Sequence, residues 1–126
     1  MTSFRRHTYD GRMLTFQQTP TPFNLVRTLL ERLTPSRPDA RERLLNGINV
    51  LQLGCGRGAA LIALAAAFPR SRFTGYDQSA EAISDAAWLV RARRLDNITF
   101  RPFDKQGPPD ASAFDLVLAD GPVAWR

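Results

Sequence analysis

The chain has 126 residues, of which 44% are apolar, so it is long enough for one small globular domain and disorder is not expected over most of it. Its net charge of +5 comes from scattered arginines, and the densest group (Arg91, Arg93, Arg94) falls at a predicted helix end, which favours a solvated surface over a nucleic-acid patch. A single cysteine, Cys55, excludes an intrachain disulfide, and no apolar run approaches the ~20 residues of a membrane span, so we expect a cytoplasmic protein.

The amino-terminal part of the chain divides into an extension and the beginning of a domain. Residues 1–22 are polar, lack clear periodicity and end in a proline-rich segment, so we assign them as an extension. The predicted domain, residues 23–126, begins with an amphipathic helix over 23–33, where apolar residues recur at helical spacing. A short helix over 41–46 follows.

From residue 48 onward, β-prone and helical segments alternate. We predict two helices, residues 59–68 and 80–94, and four strands, residues 48–53, 72–77, 98–101 and 114–119. Alternation of this kind is typical of an α/β fold with a parallel sheet covered by helices. The last crossover, residues 103–114, contains three Gly or Pro residues and is predicted to be an extended loop.

A glycine-rich loop, Gly54-Cys55-Gly56-Arg57-Gly58, joins the first predicted strand to the next helix. Glycine adopts positive φ angles at little cost, and its missing side chain lets a ligand lie against the backbone. A purely structural strand-to-helix turn is the alternative. The same residues also satisfy the dinucleotide fingerprint, so the loop alone does not distinguish NAD from another adenosyl cofactor.

Acidic residues follow three of the predicted strands, at the edge where open α/β sheets bind ligands. Asp77 can accept hydrogen bonds from both hydroxyls of a ribose; its alternative role is that of a helix-capping acid. Asp104, with Phe103 packing nearby, can accept a hydrogen bond from an adenine amino group, or it is an ordinary loop residue. Asp120 follows the fourth strand.

Four segments of this chain resemble, in order and spacing, the first four motifs of the Rossmann-like (class I) S-adenosylmethionine-dependent methyltransferases. They are "VLQLGCGRG", "RFTGYD", "ITFRPFD" and "FDLVLADG", and they extend from Val50 to Gly121. Dinucleotide dehydrogenases lack the fourth segment. The resemblance implies a methyltransferase that uses S-adenosylmethionine, with an incomplete sheet of about four strands in the order 3-2-1-4.

The resemblance also implies which residues contact the cofactor. The backbone of the glycine loop would lie along the methionine part, Asp77 would hold the ribose, and the carbonyl of Ala119 would face the ammonium group. The implied cofactor-binding residues are Gln52, Gly54, Cys55, Gly56, Asp77, Gln78, Phe103, Asp104 and Ala119. Gln52 replaces the acid usual in the first motif, from which we expect weaker affinity. No metal is expected.

Catalysis of methyl transfer needs mainly alignment of the nucleophile, because the sulfonium already activates the methyl group. Asp120 is the candidate to orient or deprotonate the acceptor, and it stands where a closer group of relatives has a histidine. That group, similar in "YDGRMLTFQQTPTPFNLVRTLLERL" and "LADGPVAW", carries a downstream methyltransferase regulatory domain and includes bacterial protein-lysine methyltransferases. The resemblance therefore implies a protein side chain as one class of acceptor.

The sheet of this family normally continues beyond the fourth strand, whereas this chain ends six residues after Asp120. We therefore expect an amino-terminal fragment with an open edge on its fourth strand, self-association through that edge, and little activity alone. The alternatives are a non-catalytic cofactor-binding or interaction module and an NAD-binding Rossmann domain. A membrane partner is excluded, and nucleic acid is disfavoured because the basic charge is unclustered.

Overall fold

The computed structural model describes residues 8–9, 12–13, 22–103, 109–119 and 123–125. The helices are α1 (Pro22–Leu33), α2 (Ala40–Asn46), α3 (Ala59–Ala67) and α4 (Ala80–Ala92). The strands are β1 (Thr8–Tyr9), β2 (Arg12–Met13), β3 (Asn49–Leu53), β4 (Arg72–Asp77), β5 (Ile98–Pro102), β6 (Leu116–Leu118) and β7 (Val123–Trp125). No helix in this described part is long and apolar enough to cross a membrane.

The central sheet has five strands in the order β5-β4-β3-β6-β7. Strands β3, β4, β5 and β6 are parallel to one another, and they reproduce the predicted order 3-2-1-4, with α3 and α4 on the first two crossovers. The prediction of a Rossmann-like α/β fold is therefore confirmed. This prediction was possible from local sequence patterns. Short apolar strands that alternate with helices have few other arrangements in which both faces of the sheet are buried.

The edge of the fourth parallel strand differs from the prediction. Strand β7 pairs antiparallel with β6, with Leu116 opposite Trp125 and Leu118 opposite Val123, so the expectation that this strand forms an open edge is wrong. The physical reason is that a three-residue strand has no periodicity of its own and is defined only by its partner. The hairpin of β1 and β2 and a 3₁₀ turn at Ala111–Ala113 in the last crossover were likewise not predicted.

Helix α3 lies at the centre of the core. Its residues Ala60 to Ala65 are all buried, because the helix packs between the sheet and α1. Six of its nine residues are alanines, and these small side chains allow close approach of the neighbouring backbones. The helix ends at Ala67, one residue before the predicted end and two before Pro69.

Two buried polar side chains fix the end of the sheet where the strands begin. Asn97 donates from Nδ2 to the carbonyls of Ala65, Phe68 and Ser71 at 3.0–3.1 Å. The Ser71 hydroxyl donates to the Leu44 carbonyl at 2.7 Å and accepts from a backbone amide at 3.0 Å. These bonds satisfy buried groups between the end of α3 and the starts of β4 and β5.

Candidate functional site

The carboxyl ends of the parallel strands lie at one edge of the sheet. Leu53 at the end of β3 pairs with Tyr76, and Asp77 at the end of β4 pairs with Pro102. On the other side of β3, Leu118 at the end of β6 pairs with Gln52. The glycine loop, the end of β4 and the segment after β5 therefore meet at this edge, as the sequence predicted.

The glycine loop has the backbone geometry that its composition predicts. Gly54, Gly56 and Gly58 have φ angles of 77°, 57° and 81°, a region that residues with a side chain rarely adopt. The amides of Gly54 and Cys55 both donate to the carbonyl of Tyr76, at 2.8 and 3.0 Å. These bonds hold the loop against the end of β4, and the three positive φ angles turn the chain into α3.

Asp77 joins three segments at this edge. Its carboxylate accepts the Gly56 amide at 2.8 Å through Oδ2 and the Ser79 amide at 2.9 Å through Oδ1. Its carbonyl accepts the Phe103 amide at 3.1 Å. The cap of α4 is a different residue, Ser79, whose hydroxyl accepts the Ala82 amide at 3.1 Å. Asp77 thus orients the glycine loop instead of serving as the helix cap.

The structure shows why positions 58 and 75 are occupied by glycine, which the sequence did not. A Cβ at Gly58 would lie 2.4 Å from Cζ of Phe100, and one at Gly75 would lie 2.7 Å from the same ring. The ring of Phe100 on β5 therefore occupies the space beside both glycines. The third glycine of the loop accommodates a packed aromatic ring, so its lack of a side chain is not evidence for a ligand at that position.

Cys55 is fully buried within the loop. Burial, together with the nearby negative charge of Asp77, raises the pKa of its thiol from 9.0 to about 12. The group is therefore a neutral thiol at physiological pH, and a thiolate is the nucleophilic form of cysteine. These properties are those of a small loop residue and not of a nucleophile.

Two aromatic rings lie beside Asp77. The ring centroids of Tyr76 and Phe103 are 5.7 Å apart with an interplanar angle of 30°, and both side chains are half-buried. Gln78, exposed, follows Asp77 in the turn to α4. Phe103 was predicted here, whereas Tyr76 was not singled out; its position next to the strand-end acid was the available signal.

The remaining predicted residues fall into two sets. Gln52 is buried in the centre of the sheet, 3% exposed and flanked by Gly75 and Leu118, while Ala119 is half-buried directly after β6. Asp104 and Asp120 lie outside the described residues, so their predicted contacts with adenine and with the acceptor stay predictions.

One edge of the sheet therefore carries the Asp77 carboxylate, the glycine loop and the rings of Tyr76 and Phe103. A carboxylate can accept hydrogen bonds from a vicinal diol, and rings beside it can pack against a flat heterocycle. The arrangement suits a nucleoside with an extended polar chain.

Comparison with known proteins assigns this architecture to a family. Residues 44–124 match the family described as a methyltransferase domain. Trans-aconitate 2-methyltransferase of Deinococcus radiodurans is 32% identical over 96 residues, which are 76% of this chain and 32% of that protein. Release factor glutamine methyltransferase of Xylella fastidiosa is 31% identical over 97 residues, which are 77% of this chain and 34% of that protein.

A solved structure leads to the same family. The crystal structure of coclaurine N-methyltransferase bound to N-methylheliamine and S-adenosylhomocysteine superimposes with a TM-score of 0.56 at 25% identity, covering 73% of this chain and 27% of that one. The chain spans only 14 to 34% of the length of the curated relatives it matches. It belongs to the methyltransferase domain family, with the class I fold that binds S-adenosylmethionine.

Proposed function

We propose that this chain is the cofactor-binding part of an S-adenosylmethionine-dependent methyltransferase that methylates a side chain of another protein. Residues 23–126 form the cofactor domain in this proposal, and residues 1–22 precede it as an extension. One observation carries the proposal: the carboxylate of Asp77 is hydrogen-bonded to the Gly56 amide at 2.8 Å, which joins the glycine loop to the end of β4.

The charges at the edge fit a cationic cofactor. The loop contributes backbone amides and a neutral thiol, and β4 contributes the Asp77 carboxylate. The one basic side chain of the loop, Arg57, is ion-paired with Asp85 at 3.0 Å. Because both partners are at least half exposed, the pair adds little stability, but it directs the guanidinium toward α4.

S-adenosylmethionine supplies an electrophilic methyl group on a sulfonium. The residues of this chain bind and orient the cofactor. The backbone of the glycine loop lies along its amino-acid part, and the Asp77 carboxylate accepts hydrogen bonds from the ribose hydroxyls. Tyr76 and Phe103 flank the base. Holding two reactants in line contributes roughly 7–11 kcal/mol at best, and this contribution does not itself require an acid or a base.

Protein methylation is favoured over small-molecule methylation by two similarities. Release factor glutamine methyltransferases of two bacteria are among the relatives, at 31% and 28% identity. The amino-terminal segment and "LADGPVAW" are similar to a group that includes protein-lysine methyltransferases. Trans-aconitate 2-methyltransferase is the counterexample, so the acceptor class requires a direct test.

Cofactor binding is tested by calorimetry with S-adenosylhomocysteine and, separately, with NAD. We expect one S-adenosylhomocysteine per chain, no NAD binding, and roughly 10- to 100-fold weaker binding in Asp77→Asn, because hydrogen bonds to a charged group contribute about 1.5–3 kcal/mol. Asparagine keeps an acceptor for the Gly56 amide, and Asp96→Asn, which alters an exposed acid elsewhere, is the matched control. Unchanged affinity in Asp77→Asn contradicts the assigned site.

The acceptor class is tested with methyl-labelled S-adenosylmethionine and a cell extract separated into macromolecules and small molecules. We expect label in protein that becomes soluble after protease treatment. Label confined to the small-molecule fraction contradicts the protein acceptor. Binding of S-adenosylhomocysteine with no label transfer by the whole protein favours instead a non-catalytic cofactor-binding module.

A further inference from the structure

A cavity lies away from the edge of the sheet where the glycine loop meets Asp77, which we call the cofactor edge. Its volume is about 680 Å³, and α1, α2 and α3 surround it. Its apolar lining includes Leu30 of α1, Leu45 of α2, Ala63 of α3, and Phe68, which directly follows α3. The glycine loop precedes the amino-terminal end of α3, whereas the cavity lies along the carboxyl-terminal half of that helix.

The cavity carries positive charge. Arg27, Arg41 and Arg93, from three different helical segments, line it, and its lining contains no acidic residue. Among the described residues, neither Arg41 nor Arg93 forms an ion pair. Both are exposed at the opening, where the apolar Leu45 is also 39% exposed. Chain folding therefore gathers arginines that are distant in the sequence around an apolar pocket.

We propose that this cavity binds a soluble long-chain carboxylate, with its aliphatic chain against α1, α2 and α3 and its carboxylate at Arg41 and Arg93. The volume falls in the ~300–1,000 Å³ range of small-molecule sites. Burying an aliphatic chain against the apolar lining supplies the affinity. Guanidinium groups pair with carboxylates through two parallel hydrogen bonds, which sets the orientation of the ligand.

The test is calorimetry of the full chain with dodecanoate below its micelle concentration. Dodecyltrimethylammonium, with the same chain length and opposite charge, and acetate, with the same head and no chain, are the comparison ligands. We expect one saturable dodecanoate site and no saturable binding of the other two. Arg93→Ala weakens dodecanoate binding about tenfold or more, because it removes a charge-assisted pair. Arg91→Ala, which removes an exposed arginine two residues earlier and outside the cavity, leaves dodecanoate binding unchanged.

A second pair of variants tests the cavity itself. Ala66→Phe places a ring in the pocket and abolishes dodecanoate binding, whereas Ala92→Phe, an exposed site outside the pocket, does not. Circular dichroism verifies that each variant folds, and S-adenosylhomocysteine binding by Ala66→Phe shows that the cofactor site is intact.

Several results would overturn the proposal. Equal binding of the trimethylammonium compound would show that charge plays no part, and an equal effect of Arg91→Ala would show that the site is unspecific. Binding to anionic phospholipid vesicles that Ala66→Phe leaves intact would indicate a membrane-binding surface. A wild-type dimer that Ala66→Phe converts to a monomer would indicate that a second copy covers the cavity.

Discussion

At the scale of single residues, Asp77 and Cys55 determine the structure of the edge where we propose that the cofactor binds. The two carboxylate oxygens of Asp77 hold the glycine loop and the start of α4, and its carbonyl holds the segment after β5. Removing the whole side chain would therefore disturb the loop as well as the proposed ribose contact. For this reason Asp77→Asn, which keeps an oxygen acceptor, is a sharper probe than Asp77→Ala.

Cys55 gives a prediction for stability against pH. Its thiol has a pKa of about 12 in the folded protein, against 9.0 in the unfolded chain, because burial and Asp77 disfavour the thiolate. The unfolded chain therefore loses this proton first, and the free energy of unfolding falls as pH rises from about 9 toward 12, by at most ~1.4 kcal/mol per pH unit. Below pH 9 the thiol is neutral in both the folded and the unfolded chain, so this loss of stability does not occur there.

The measurement is urea unfolding of the wild type and Cys55→Ala from pH 8 to pH 10.5. Tyrosine and lysine titrations occur in both proteins, so the difference in unfolding free energy isolates the thiol. We expect the wild type to lose stability relative to the variant above pH 9. A difference that stays constant over this range contradicts the buried neutral thiol.

At the scale of elements, the packing of β5 against the glycine loop and the cap of α4 determine the local structure. Phe100 on β5 fills the space beside Gly58 and Gly75, so its ring packs against the glycine loop and supports it. Both positions require glycine because the Phe100 ring leaves no room for a side chain. The glycine loop, which follows β3, therefore contacts β5, the strand on the other side of β4.

Gly58→Ala is expected to destabilise the protein by about 2–4 kcal/mol. The new Cβ meets Phe100 at 2.4 Å, and alanine at a φ of +81° is strained. Gly75→Ala, at a position without positive φ, meets the same ring and is expected to cost about 1–3 kcal/mol. Chemical denaturation measures the loss of stability in both variants. In a Phe100→Leu background each loss should fall by about 1 kcal/mol, because the smaller side chain leaves room for the new Cβ. Strictly additive effects would show that the Phe100 ring does not cause the destabilisation.

Ser79→Ala is expected to cost about 1 kcal/mol, because the Ala82 amide loses its side-chain acceptor at the first turn of α4. Ser84→Ala removes the same hydroxyl from an exposed position within the same helix and should be close to neutral. Thermal unfolding of the two variants makes the comparison. Equal losses would mean that Ser79 is not the cap.

At the scale of the whole molecule, Trp125 holds the last strand to the domain. The guanidinium groups of Arg37 and Arg43 each lie 5.7 Å from the centroid of its ring. Both arginines belong to the segment around α2, so these contacts connect the edge strand β7 to the helical layer. The sheet edge thereby depends on residues more than 80 positions earlier in the chain.

Trp125→Leu is expected to destabilise the protein by roughly 1–2 kcal/mol, the sum of two partly exposed cation–π contacts. It should also speed hydrogen exchange at Leu116 and Leu118, which pair with β7. Trp88→Leu is the matched control, because that ring is 59% exposed. Similar stability and exchange in the two variants would show that β7 is held by its backbone pairing alone.

The sequence alone was sufficient for the parallel sheet, the glycine loop and Asp77 at the strand end. Each of these is encoded within a few neighbouring residues, because apolar runs give the strands and glycines allow positive φ. The family resemblance depended on the same local segments.

Only the tertiary structure decided the rest. The pairing of β7 on β6, the ring of Phe100 beside two glycines and the convergence of Arg41 and Arg93 on one cavity all join residues far apart in the chain. Contacts of this kind depend on how helices and strands pack in three dimensions, and no periodicity or short motif specifies them in advance. The meeting of the glycine loop with the ends of β4 and β5 was therefore predictable from the sequence, whereas the packing of Phe100 against the loop and the cavity lined by α1, α2 and α3 were not.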